Sequence, residues 1–201
     1  MINVTIATNN FRFLYKLNEI LANVTSIKTN HISPNEPIPD KSKLIITTEI
    51  EKKYFKNEIV FVPKAFNIYY LYSNIVLLVK NKDRFDEVIV GIDPGKTSGF
   101  AVVVDERMVL ATNEFYTAVD VVKETITAFF NVETVNFSIK IGDGGGAIRK
   151  EIVNRLEEIF HEKVDIQIVS EQHTSKTGAY HKKPEYSKNI NSAILIALRN
   201  K

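Results

Sequence analysis

The chain has 201 residues, 44% of them hydrophobic and 25% charged, a balance typical of water-soluble globular proteins and a length that admits one large domain or two small ones. It contains no cysteine, which excludes disulfides and cysteine-ligated zinc, and its four histidines, His31, His161, His173 and His181, lack the His-x-x-x-His spacing of a helical metal site. A net charge of +2 decides nothing about partners by itself, so a nucleic-acid argument must rest on where the charges lie.

Residues 1–8 carry neither the basic segment nor the apolar core of a secretory signal, and a cytoplasmic location is expected. Ile2–Ala7 alternates as a strand, and Asn9 or Asn10 is placed to cap the helix that follows. Phe13, Leu14, Leu17, Ile20 and Leu21 give that helix an apolar stripe. His31–Asp40 holds three prolines and reads as an extended loop. Leu44–Thr48 and Ile59–Val62 read as short strands. Phe66–Val79 reads as an aromatic-rich helix with Ile68, Leu71, Tyr72, Ile75, Leu78 and Val79 at core spacing. It is interrupted by Asn67, Ser73 and Asn74 and is too short to span a bilayer. Tyr69, Tyr70 and Tyr72 admit base stacking, but the helical spacing and the lack of flanking basic residues before Lys80 favour burial.

All eight glycines fall between Gly91 and Gly178, and the charged segment Lys80–Arg84 precedes them. This asymmetry places a boundary near residue 84: a small α/β domain of unassigned role over 1–84 and a second domain over 85–201.

The second part is organised around Val88–Val104. Val88–Ile92 is a β-branched run, as expected of a strand buried on both faces. Asp93 falls at its C-terminal end, Pro94 and Gly95 force a turn, and Phe100–Val104 returns as a second strand. A carboxylate there either caps the turn or binds a cation, because burial without a partner is costly. Met108–Thr112 is a third strand. Thr117 opens a helix, with Asp120 in the capping-box position and Val119, Val122, Ile126 and Phe129 as its stripe. Phe137–Ile141 is a fourth strand, ending in Gly142-Asp143-Gly144-Gly145-Gly146. A helix with Ile148, Ile152, Leu156, Ile159 and Phe160 on one face follows. Val164–Val169 is a fifth strand ending at Ser170-Glu171, and a last helix carries Ile190, Ala193, Ile194 and Ala197.

Gly91-Ile92-Asp93-Pro94-Gly95, followed by a small-residue turn and an apolar strand, resembles the first motif of the RuvC/YqgF branch of the RNase H-like superfamily. Val169–Ser175 is similar to the Asp-Glu-Arg-x-Thr-Thr segment of that branch: Glu171 and Thr174 match, while Ser170 and Gln172 depart. Lys188–Ala197 is similar to its terminal helix, with Asn189 and Ser192 standing where relatives carry aspartates. The resemblance covers residues 86–201 and extends to a group of uncharacterised archaeal proteins. It implies an RNase H-like mixed sheet with flanking helices, preceded here by the smaller α/β domain, and a catalytic metal-binding role for Asp93.

Asp93, Asp143 and Glu171 each follow the C-terminal end of an expected strand. If those strands are parallel neighbours, the three carboxylates converge where α/β sheets bind ligands. Converging carboxylates suit Mg²⁺ or Mn²⁺, and two such ions ~4 Å apart activate water for phosphodiester hydrolysis. The bland alternatives are that Asp143 shapes a glycine-rich turn and Glu171 caps a loop. Asn189 can offer only a neutral oxygen to the same site. Glu185, four residues before it, reaches the same face if the helix starts near Pro184.

Gly144, Gly145 and Gly146, before a helix, also suit a phosphate loop, although no Walker pattern is present. Lys96, Arg149, Lys150, Lys176, Lys182, Lys183 and Lys188 are candidates for a phosphate-binding rim, or else ordinary solvated lysines and arginine. The expected function is metal-dependent cleavage of structured or branched DNA or RNA, with no membrane partner and homodimerisation left open. The alternatives are a catalytically degenerate nucleic-acid-binding or scaffolding protein, and a nucleotide-binding protein of the actin and sugar-kinase type.

Overall fold

The computed structural model describes residues 1–22, 24–56, 58–105, 107–170 and 184–199. The chain divides into two compact units, Met1–Asp83 and Arg84–Lys201.

The first unit runs β1 (Ile2–Ala7), α1 (Phe11–Leu21), β2 (Ile27–Ile32), β3 (Leu44–Ile46), a 3-10 turn, β4 (Val60–Phe61) and α2 (Ile68–Lys80). Its four strands are ordered β2-β1-β3-β4, and every pair is parallel. Asn10 caps α1, accepting from the Phe13 N–H at 3.1 Å. Val4, Ile6, Leu17, Leu21, Leu44, Ile46, Phe61, Leu71 and Ile75 form the core. Strand β2 was not expected. Its sequence Ile-Lys-Thr-Asn-His-Ile is apolar only at its ends, and residue-by-residue pairing with β1 makes it a strand, so His31 and Ile32 belong to the sheet rather than to the proline loop. In α2, Tyr69 and Tyr72 are only 2% and 4% exposed, and the Tyr72 hydroxyl meets Ser26 Oγ. These two rings are therefore part of the core and not a stacking platform. Leu78 and Val79 are half-buried, while Val76 and Leu77 take the buried positions.

The turn after β3 is fastened to the β1–α1 loop by one carboxylate. Glu51 accepts from Thr8 Oγ1 and Thr48 Oγ1, both at 2.6 Å, and from the Asn9 N–H at 2.7 Å. Partial burial pushes this carboxyl up, but the hydrogen bonds outweigh it and hold the group below its ordinary value. A depressed carboxylate contributes stability that is present above the unfolded value of 4.5 and is lost as pH falls through the folded one. Glu51→Gln is therefore expected to lower stability at neutral pH and to flatten the acid limb of a urea-midpoint-versus-pH curve; an unchanged acid limb would show that this carboxylate does not clamp the turn.

The second unit runs β5 (Phe85–Asp93), β6 (Ser98–Val104), β7 (Met108–Phe115), α3 (Ala118–Asn131), β8 (Thr134–Gly142), α4 (Gly146–Phe160), a 3-10 turn, β9 (Asp165–Val169) and α5 (Lys188–Ala197). The five strands are ordered β7-β6-β5-β8-β9; β6 is antiparallel to both neighbours, while β8 and β9 run parallel to β5. This mixed sheet flanked by helices is compatible with an RNase H-like α/β fold, as expected. Thr117 caps α3, accepting from the Asp120 N–H at 3.1 Å while its hydroxyl donates to Asp120 Oδ2 at 2.7 Å.

One face of the sheet is covered by α3 and α4, whose Phe129 and Phe160 pack edge-on with each other, and Phe129 likewise with Phe137 of β8. The buried side of α3 is Ala118, Val121, Val122, Thr125 and Ala128, which leaves Val119 on the solvent side; on α4, Ile159 is likewise exposed. The other face is covered by α5, with Ala193, Ile194 and Ala197 against Ile89, Ala101 and Val103. Here the helix lies almost on the backbone. A Cβ on Gly91 would stand 2.1 Å from the Ala193 carbonyl oxygen, and one on Gly99 2.1 Å from that of Asn189. Among the described residues no helix is long and apolar enough to cross a membrane. Gly91→Ala is expected to lower stability by ~1–3 kcal/mol, the range for overpacking a core, because the nearest obstacle is the Ala193 backbone carbonyl and the next, the Ala197 Cβ, has no freedom to swing away. Equal denaturant midpoints for the variant and wild type would refute the close packing.

Candidate functional site

The carboxyl ends of β5, β8 and β9 lie side by side. Ile92 is level with Ile141, and Gly142 with Val169. Asp93 ends β5 and is half-buried, while Asp143 lies one residue past β8 and is exposed. Two features set the loops. Ser98 Oγ donates to the Gly95 carbonyl at 3.2 Å and accepts from the Gly95 N–H at 3.3 Å, which closes the turn after Asp93. The Asp143 N–H extends the β8–β9 ladder to the Val169 carbonyl at 3.0 Å, and the Arg149 guanidinium donates to the Asp143 carbonyl.

Gly145 locks the loops together. It adopts φ 72°, in the left-handed region, as the residue before α4, and a Cβ there would stand 2.4 Å from the Pro94 carbonyl oxygen. The Asp143 loop is thus seated against the residue that follows Asp93. Glu171, two residues beyond β9, lies outside the described residues, as do Gln172, Thr174, Lys176, Lys182 and Lys183. Among the described residues, no group of three or more His, Asp or Glu could hold a metal ion. Asp93 and Asp143 nonetheless offer hard oxygen donors of the kind Mg²⁺ and Mn²⁺ take. Of the expected basic rim, Lys96 is exposed in the β5–β6 turn, Lys150 on α4 and Lys188 at the start of α5, and Arg149 is half-buried.

A second group of residues meets on the α5 face. Asp93 pairs with Gly99, and Gly99 pairs with Glu114 on β7, so the two carboxylates share a face with a glycine between them. Asn189 stands above that glycine, its Cβ 3.1 Å from where a Gly99 Cβ would be. Glu114 Oε1 accepts from Asn189 Nδ2 at 2.9 Å and from Ser187 Oγ at 2.8 Å. Ser187 is the cap of α5, taking the Ile190 N–H at 3.2 Å, so Glu114 also sits at the positive end of the helix dipole.

Glu114 and Ser187 were not anticipated. The signal for Glu114 is concealed by a bulge: Val103 faces Val109, but Val102 faces Ala111, which leaves Leu110 as the extra residue. An unbroken hairpin register would set Asn113 opposite Gly99 and turn Glu114 to the other face. The helix start removes another expectation. Since α5 begins at Lys188 after its Ser187 cap, Glu185 precedes the helix and the four-residue spacing to Asn189 does not align them.

No family model matches the chain, and no curated protein matches it. Among solved structures it is similar to Marinitoga piezophila Argonaute, determined in complex with 5′ OH guide RNA and target DNA, with 14% identity and a TM-score of 0.29. That alignment covers 84% of this chain and 38% of the Argonaute chain, so this chain spans well under half of that protein's length.

Gly145→Ala is expected to destabilise the second unit by ~1–3 kcal/mol through combined backbone strain and collision with Pro94. Hydrogen exchange should rise at residues 142–148 and in the 94–97 turn together. Exchange confined to one loop would mean that Gly145 does not couple them.

Proposed function

We propose that the second unit is a divalent-metal-dependent nuclease domain that hydrolyses phosphodiester bonds in DNA or RNA. The supporting observation is the pair of acidic residues at the carboxyl ends of two adjacent parallel strands, Asp93 and Asp143, with Gly145 seating one loop on the other. On this reading Asp93, Asp143 and Glu171 hold Mg²⁺ or Mn²⁺, which supplies charge neutralisation and an activated water when bound. Asp93, on the most central strand and tied to a hydroxyl-closed turn, is the fixed ligand; Asp143, just past β8, and Glu171 complete the set. Gly144–Gly146 at the start of α4, with Lys96, Arg149, Lys150, Lys176, Lys182, Lys183 and Lys188, supply phosphate contacts. The preference for structured or branched substrates follows from the RuvC/YqgF resemblance.

A second reading, nucleic-acid binding without cleavage, is favoured by Asn189 and Ser192, neutral residues at positions where relatives of that branch carry aspartates. The reading as a nucleotide-binding protein of the actin and sugar-kinase type loses ground on topology. Such proteins normally use two copies of the mixed sheet, whereas the first unit is wholly parallel.

Calorimetric titration of Mn²⁺ into wild type and Asp93→Asn, with cleavage assays on a labelled four-way junction and a linear duplex, separates these readings. The nuclease reading expects wild-type binding, cleavage, and at least ~10-fold weaker metal affinity in the variant, the lower bound for losing even an outer-shell partner. Binding without cleavage would select the second reading. No metal binding to wild type would end the first.

A further inference from the structure

We infer that Glu114 is the positioning residue of this site, orienting the Asn189 side chain so that its amide oxygen is presented on the Asp93 side; this rests on the metal-dependent reading above. A carboxylate only accepts hydrogen bonds, so the Asn189 group 2.9 Å from Glu114 Oε1 must be the NH₂. The amide is planar, and fixing its nitrogen turns its oxygen away from Glu114. Asn189 stands over Gly99, the residue that separates Glu114 from Asp93 in the sheet register. Along that row the side opposite Glu114 is the Asp93 side, and the inference assigns the amide oxygen to it. Ser187 Oγ holds the same carboxylate oxygen at 2.8 Å and caps α5, so the orienting group is itself held from the helix it orients.

The pairing also accounts for asparagine at 189. An aspartate in the same place would bring two carboxylates within hydrogen-bond distance with no proton between them. With a carboxylate on the strand, the helix partner has to be a donor. The neutral residue at this position is thus matched to Glu114, and its remaining function is that of a neutral oxygen ligand beside Asp93.

The test uses the full chain, Mn²⁺ titrated by calorimetry, and two opposite changes at one position. Glu114→Gln discards the charge but keeps an oxygen able to accept both bonds; Glu114→Asp keeps the charge but shortens the reach. Positioning expects Glu114→Gln to bind Mn²⁺ within about twofold of wild type and Glu114→Asp about tenfold more weakly, the size typical of an outer-shell partner. It further expects Glu114→Asp to have no added effect in an Asn189→Ala background, a coupling that only shared action produces. Thr117→Ala, which removes a cap on α3, controls for lost stability and should leave Mn²⁺ affinity unchanged. Weakening in Glu114→Gln equal to that in Glu114→Asp would overturn the inference and assign Glu114 a charge role instead. Additive losses with Asn189→Ala would overturn it too. Wild type that binds no Mn²⁺ would overturn the metal-dependent reading and this inference together, whereas wild-type binding indifferent to every change at 114 would overturn this inference alone.

Discussion

The close seating of α5 on the β5–β6 pair governs where the groups of the second unit meet. At Gly91 and Gly99 no side chain stands between sheet and helix; Ala193 and Ala197 lie over Gly91, and Asn189 lies over Gly99. Both ends of the helix are tied down. Lys140, on the neighbouring β8, donates to the Ala197 and Arg199 carbonyls at the C-terminus, and the Glu114 carboxylate stands at the N-terminus. Each charge has the sign that complements the helix dipole at its end. The close backbone approach at Gly91 and Gly99, with a charge at each end of the helix, accompanies the placement of Asn189 above Gly99.

The bulge at Leu110 is the second constraint. Strand period makes a one-residue register shift equivalent to a change of face, so a single inserted residue decides whether Asn113 or Glu114 looks at α5. The buried Leu110 absorbs the irregularity within the core, and the acidic residue gained on the α5 face lies in the same cross-strand row as Asp93. A local backbone irregularity thereby changes which side chain faces α5 several residues along the strand.

The same economy is visible in the first unit, where Glu51 closes a loop through hydroxyl and amide donors. In both units a strategically placed carboxylate is satisfied by short, neutral donors. Such bonds to a charged acceptor are roughly twice as strong as neutral ones, and they fix geometry in a way a solvated lysine cannot.

Much of this protein can be read directly from its residues. The β-branched run before Asp93 has no stable place except a buried strand, Thr117 and Asn10 are caps by their chemistry, and the confinement of glycine to the second part marks a change of architecture near residue 84. The element order was legible in the pattern, and the mixed-sheet fold was what the resemblance implied. What local pattern could not supply was anything that depends on pairing. Strand β2 has too few apolar residues to declare itself and exists because β1 offers a ladder; on α3 and α4, packing left Val119 and Ile159 exposed although their spacing placed them on the apolar stripes. Glu114 is the clearest case. Its identity is plain in the sequence, but its role beside Asn189 was decided by a bulge and by the approach of a helix some seventy residues later, since a side chain's face is a property of register, and register is set only when strands and helices have packed.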